Sequence, residues 1–381
     1  MTGSSLTSAP AETLGIDIAT ARALPKAEVH VHLEGGLALA DLLWLAKENG
    51  ESLPGPAATL FDVSTHTDFE MPEETTGGGD GVGTGGLSGF LRFLDWQCGL
   101  VRTPDQAARV AYAFAARQSS SGVRYTDAIV NPTHWHGWRG KEHDLMAAIA
   151  AGLAEAEQDG LCVVNLAWSL LRSQTATEAR EIVERIVAGP SPRIVALSVD
   201  GDEKVAGRTG EKFSEAFTLA RDAGLHRTVH AGESSGPEGV WDAVDLLHAE
   251  RIDHGVRAIE DPALIERLIS DGIALGVCPR SNLTLGVYDG WASHPLPALL
   301  DAGVLVTLNT DDPEPLGTTL AHDWVETSAH FGWGLDVMAG FAARSIDASF
   351  ADDSLKAALH ADLSETVATA RAKQKSTEMA R

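Results

Sequence analysis

Cysteine is scarce in this chain: Cys98, Cys162 and Cys278 are the only three in 381 residues. A sparse, odd set without a Cys-x-x-Cys pair excludes a cysteine-ligated zinc site, argues against a disulfide framework and implies a reducing compartment. Basic residues are few as well, with 29 Lys and Arg against 54 Asp and Glu and a net charge of −25. So acidic a surface repels nucleic acid and anionic membranes, so neither is an expected partner. No apolar run approaches the roughly 20 residues that cross a bilayer. The opening MTGSSLTSAPAETLG lacks the basic and apolar regions of a secretory signal. A soluble, cytoplasmic protein is expected. Also missing are a repeat of roughly 20–50 residues, a linker that splits the chain, and a Gly-x-Gly-x-x-Gly turn after the first strand. The last absence speaks against a doubly wound dinucleotide-binding sheet.

What is present is a 44% hydrophobic content, enough for a sizeable core. Eight strand candidates alternate with helical stretches. They begin with AEVHVHL (Ala27–Leu33) and GVRYTDAIV (Gly122–Val130). LCVVNLAWSL, RIVALSVD (Arg193–Asp200), HRTVHAGE (His226–Glu233), RIDHG and IALGVCP follow, and VLVTLNTDD is the last. Strand–helix alternation implies a parallel sheet, and eight units imply a closed (β/α)8 TIM-type barrel, with additional helices after strand 1 and at the C-terminus. One domain spanning 1–381 is expected, with about 1–23 as a leader. Residues 70–89 are acidic and glycine-rich, too polar to bury themselves, and read as a flexible insertion, either a substrate lid or a solvated loop.

In a barrel the reacting groups stand at the C-terminal strand ends, and the polar residues of this chain fall there. His30 and His32 share one face of the first strand. His230 and Glu233 close the fifth strand, His254 the sixth, and Asp311 and Asp312 the eighth, just before Pro313. Each alone reads as a turn or a satisfied core residue; together they predict a metal site. His30, His32, His230 and Asp311 make a three-imidazole, one-carboxylate set suited to zinc, with iron, manganese or cobalt as alternatives. Such an ion lowers the pKa of its water to roughly 7. His254 and Asp312 are left to take a proton from that water and orient it, and Glu233 to donate one to the substrate, for which burial must raise its pKa. Two-metal barrels need a bridging ligand, often a modified Lys, on a middle strand. NLAWSL and RIVALSVD offer none, so one ion is expected.

The segments LPKAEVHVHLEGGL, TVHAGES, ERIDHGVR, GVCPRSN and TLNTDDPEPLGTTL resemble, in order, the signature segments of the adenosine and adenine deaminases of the amidohydrolase superfamily. The likeness runs from about Leu24 to Leu320. It implies zinc on His30, His32, His230 and Asp311. It also implies that Glu233 protonates purine N1 as hydroxide attacks C6, that His254 activates and positions the hydroxide, and that Asp312 hydrogen-bonds hydroxide and purine. The backbone of Gly201 would sit against the base, and ammonia would leave from a 6-aminopurine. Glu34 stands where adenosine deaminases carry Asp and is more like the adenine branch. Asp200 before Gly201, Asp253 before His254 and Arg280 in the Cys-Pro segment also depart from the usual pattern. Asp200 could bind an additional amino or hydroxyl group or be a solvated carboxylate.

The substrate the resemblance implies is adenosine or a related 6-aminopurine, with another amino-heterocycle or a modified nucleoside as the alternative; a non-catalytic purine-binding protein is the remaining one. No oligomeric state follows. His66, His134, His136 and His143 are expected at the surface or behind the site, and His248, His294, His322, His330 and His360 on exposed helical faces. Trp96, Trp135 and Trp138 either line a flat pocket or pack in the core.

Overall fold

The computed structural model describes residues 15–61 and 87–379. His66 and residues 70–86 of the expected insertion lie outside the described residues, while 87–89 open the helix Leu87–Gly99. Eight strands form the centre: β1 Lys26–His32, β2 Val123–Val130, β3 Val163–Leu171, β4 Ile194–Asp200, β5 His226–Ala231, β6 Arg251–His254, β7 Ala274–Val277 and β8 Val306–Leu308. They pair in sequence order, every pair parallel. The ring closes through Asp311, which bridges to Val31. The His32 N–H donates to Asp311 O at 2.8 Å and the Asp311 N–H to His30 O at 3.2 Å. This is the expected (β/α)8 barrel.

Helices cover the outside, and their starts are written locally. Thr103 with Gln106, and Thr175 with Glu178, form capping boxes that satisfy the free N–H groups of Pro104–Ser120 and Ala176–Ala188. The helices Leu320–Phe331, Leu335–Ala348 and Asp353–Met379 follow the last strand. No described helix is long and apolar enough to cross a membrane.

Within the stretch expected as a leader, Ile18–Ala23 form a helix. Lys26, fully buried, explains it. Its ammonium donates to Ala21 O at 2.7 Å, Leu24 O at 3.2 Å and Ser121 O at 2.7 Å, pinning the end of that helix to the barrel.

Below the strand ends the barrel is filled by ion pairs as well as apolar groups. Arg251 donates to Asp127 at 2.8 Å with both side chains wholly buried, and Thr228 donates to Asp253 at 2.7 Å. Removing one partner of such a buried pair costs roughly 3–5 kcal/mol, because the other charge is stranded. This layer fixes the heights at which β2, β5 and β6 deliver their last residues.

Three non-glycine residues among those described have positive φ: His248 (54°), His254 (65°) and Asp311 (69°). Left-handed backbone at a residue with a Cβ costs on the order of 1–3 kcal/mol and persists where surroundings over-determine it. Two of these three are residues the sequence singles out for chemistry, and both turn sharply at a strand end.

Candidate active site

His30 and His32, two apart on β1, aim their rings at the barrel axis and meet His230 from β5. The Nε2 atoms of His30 and His32 lie 3.1 and 3.0 Å from His230 Nε2, and each lies 3.4 Å from Asp311 Oδ1. The four donor atoms all lie within 4.8 Å of one another, and all four residues are buried. Donors held tetrahedrally around an ion at about 2.0–2.1 Å stand about 3.3 Å apart, so the observed spacing fits one. Imidazole lone pairs converging this closely repel unless a cation or proton lies between them. Outer contacts fix which nitrogen faces inward. His30 Nδ1 donates to Gly276 O at 2.7 Å, leaving Nε2 bare, and Ser281 donates to Asp311 Oδ2 at 2.6 Å. Behind His230, Nδ1 has no hydrogen-bond partner among the described residues and faces Asp253 Oδ2 at 3.6 Å. That is where the structure puts Asp253. The set can hold a divalent metal ion.

His254 and Glu233 stand beside the cluster, His254 Nε2 lying 3.5 Å from Glu233 Oε1 and 3.8 Å from Asp311 Oδ2. Burial foremost, then the charges of Asp311 and Glu203, push the Glu233 carboxyl up to about 8. Burial and the neighbouring His30 hold His254 down at about 3, so its ring is neutral. Asp312 is raised well above the usual carboxylate range by burial and by Asp311, Glu34, Asp200 and Glu233. A Cβ on Gly35 would overlap Asp312, so the middle position of the Glu-Gly-Gly turn after β1 must be glycine.

Two supports organise the far side. Asn131, at the end of β2, donates its N–H to Glu34 Oε1 at 2.8 Å and its side-chain amide to Asp200 Oδ1 at 2.5 Å; Trp135 Nε1 also reaches Glu34 Oε1, at 2.7 Å. Among the described residues, Glu34 Oε2, Asp200 Oδ2 and Asp312 Oδ1 are buried without a hydrogen-bond partner, Asp200 Oδ2 lying 3.9 Å from His32 Nδ1. Buried oxygens without partners are costly, and these three line one cleft with Gly201, Glu233 and His254. Asp200 is thus a buried group of the cleft, not a solvated one. On the other side Glu203 accepts the N–H groups of Gly232, Glu233, Ser234 and Ser235 at 2.9–3.2 Å, holding the turn that carries Glu233. Arg172 reaches the carbonyls of His230 and Gly201.

His134 also lines the cleft and pairs with Asp95 at 2.6 Å. Burial opposes its charge, but Asp95 overcomes that and raises His134 to about 9, while the pair holds Asp95 down at about 2. The stabilisation from His134 is complete below its unfolded value of 6.5 and is lost as pH rises through about 9. That from Asp95 is complete above 3.8 and is lost as pH falls through about 2. His134→Gln is therefore expected to cost on the order of 2 kcal/mol, with the full cost between about pH 4 and 6.5 and a declining one toward pH 9. Urea unfolding of both proteins across that range measures it; a pH-independent difference refutes it.

Other histidines divide. His322, His330 and His360 lie on helices as expected. His248 lies past the end of its helix, and His294 is buried and bonded to Asn282 rather than exposed. Trp96, Trp135 and Trp138 pack in the core, and Trp135 also lines a cavity.

The chain matches the family model described as adenosine deaminase over residues 25–366. It is 31% identical over 345 residues to an adenosine deaminase of Shewanella denitrificans, covering 89% of this chain and 98% of that protein. It is 33% identical over 354 residues to an adenine deaminase of Rhodospirillum rubrum, covering 92% and 99%. Among solved structures, an adenine deaminase from Arthrobacter aurescens superposes with a TM-score of 0.80 at 30% identity, covering 91% of this chain and 99% of that one. An amidohydrolase from Burkholderia ambifaria with bound Zn superposes at 0.77 and 29%, covering 93% and 97%. The converging imidazoles, the raised carboxyl beside them and these likenesses agree: the chain belongs to the adenosine deaminase family of metal-dependent amidohydrolases.

Proposed function

We propose that the protein hydrolytically deaminates a 6-aminopurine, with a single zinc ion on His30, His32, His230 and Asp311. The observation that carries this reading is four buried donor atoms within 4.8 Å of one another, with Glu233, a carboxyl that burial pushes up to about 8, beside them. When bound, the ion supplies a Lewis acid that makes water nucleophilic near neutral pH. The chain supplies the rest. Glu233 donates its proton to the ring nitrogen next to C6, which draws electrons from that carbon. His254 holds the attacking water over C6. Asp312 bonds the ring on the opposite edge, and Gly201 packs against the base. Of the water's two protons, one goes to the departing amino group and one restores the acid form of Glu233; the C6–N bond breaks, ammonia leaves, and a 6-oxopurine remains with the proton from Glu233 on its ring nitrogen. Glu34 and Asp200, each with a free buried oxygen, call for donors on the rest of the substrate.

Among the described residues a second cavity of about 590 Å³ adjoins the cleft, sharing Leu91, His134 and Gly201 with it. That is room for a substituent beyond the base, and it keeps nucleosides beside free bases as substrates to be compared. Zinc-loaded protein is expected to release ammonia and shift the purine absorbance with at least one of adenine, adenosine, deoxyadenosine and an aminofutalosine-type nucleoside, and kcat/KM ranks them. Tight purine binding with no ammonia from any of them would replace the enzyme reading with a binding protein.

A further inference from the structure

We infer that hydrogen bonds running from the Leu296 backbone through His294 and Asn282 hold His254 as the tautomer with its proton on Nε2, so that His254 meets the reacting water as a hydrogen-bond donor. This rests on the deaminase reading and redefines the role of one residue in it.

The chain of constraints starts from a group with no choice. The Leu296 N–H donates to His294 Nδ1 at 3.2 Å, so that nitrogen is bare. A neutral imidazole bare at one nitrogen carries its proton on the other. His294 Nε2 therefore donates, and the atom it meets at 3.1 Å is the amide oxygen of Asn282. That contact settles the orientation of the Asn282 amide, which distance alone does not. Its NH2 then faces His254 Nδ1 at 3.3 Å. An NH2 group only donates, so His254 Nδ1 is bare and the proton sits on Nε2. An imidazolium is excluded by the same contact, because its second N–H would point at the NH2.

The geometry at each end agrees. His254 Nε2 faces two acceptors, Glu233 Oε1 at 3.5 Å and Asp311 Oδ2 at 3.8 Å. His254, Asn282 and His294 are all buried, so water does not compete for these bonds. The Asn282 backbone is itself fixed, donating to Cys278 O at 3.0 Å and accepting from Val287 at 2.8 Å and Tyr288 at 3.2 Å. Burial also keeps His294 low, at about 4, consistent with a neutral ring. The base role expected of His254 from the sequence needs a lone pair on Nε2, which this tautomer lacks. Proton acceptance from water then falls to a carboxylate of the cleft, and Asn282 and His294 are positioning residues.

Nitrogen-15 spectra of histidine-labelled, zinc-loaded protein test this, with the His254 signals assigned by their loss in His254→Gln. The expected wild-type result is a neutral His254 protonated on Nε2, and a neutral His294 protonated on Nε2. Asn282→Asp places an acceptor against Nδ1 and is expected to move the His254 proton there, lowering kcat by about 10–100-fold while KM changes far less. A wild-type His254 protonated on Nδ1 or on both nitrogens overturns the inference, as does an Asn282→Asp protein whose His254 tautomer is unchanged. The spectra decide the tautomer even if no 6-aminopurine is turned over, so this failure is distinct from failure of the deaminase reading.

Discussion

Replacing Glu233 with Gln is expected to lower kcat by roughly 10²–10⁴-fold. The substitution keeps the shape of the side chain and removes only its ability to deliver a proton. Glu233 is buried, and the four-bond grip of Glu203 on the surrounding turn does not involve its side chain. Substrate affinity and melting temperature should therefore move little. The wild-type enzyme should also lose kcat/KM as pH rises and the acid ionises. Burial and the Asp311 charge place that loss near pH 8. A cation resting against Asp311 cancels part of that charge and brings the limb somewhat lower. A Glu233→Gln enzyme that turns over at the wild-type rate refutes the assignment, whatever its pH profile.

His230→Ala is expected to abolish stoichiometric zinc binding and lower activity by at least about a thousandfold, the ion being the source of the nucleophile. His230 has the central place in the cluster, its Nε2 lying within 3.1 Å of both other imidazoles. Burial, and then the charges His30 and His32 would carry, push its own proton affinity well down, so a lone pair is ready for a metal. The ion binds the folded chain only, so stripping it from the wild type should lower the melting temperature. At free zinc about a thousandfold above its dissociation constant the difference is about 4 kcal/mol. Elemental analysis with calorimetry checks both parts. Full zinc retention in His230→Ala, or two ions per wild-type chain, overturns the single-site assignment.

The barrel was legible because most strands are compact apolar runs and several helices carry their own N-caps. The observed strands fall within a few residues of the runs read from sequence. The last one is the exception. VLVTLNTDD reads as continuous, yet β8 pairs only over Val306–Leu308, and Asp311 rejoins the ring through a single bridge with φ at 69°. A left-handed residue within an extended run leaves no compositional mark when it is Asp instead of Gly. The residues expected to carry chemistry come together for a similar reason, since position along a strand decides which end a side chain occupies. Gly201, Glu34 and Asp200 line the same cleft as Glu233, His254, Asp311 and Asp312.

What stayed hidden is everything that depends on a partner from elsewhere in the chain. His134 reads as peripheral until Asp95, 39 positions away, is seen to hold its proton. His294 reads as exposed because its neighbours look helical, while its ring is buried against Asn282. Asn131 and Glu203 carry no signal alone; the Asn after an apolar strand and the Glu after Asp-Gly-Asp acquire meaning only from the N–H groups and carboxylates they meet.

Asp311 contributes both a carboxylate to the cluster and the backbone seam that joins the end of the barrel to its beginning. During synthesis, the two imidazoles near the N-terminus therefore wait for almost the whole chain before their fourth companion arrives. Partly made chains lack the fourth donor, so firm binding of a divalent metal ion is expected only after Asp311 has docked against β1.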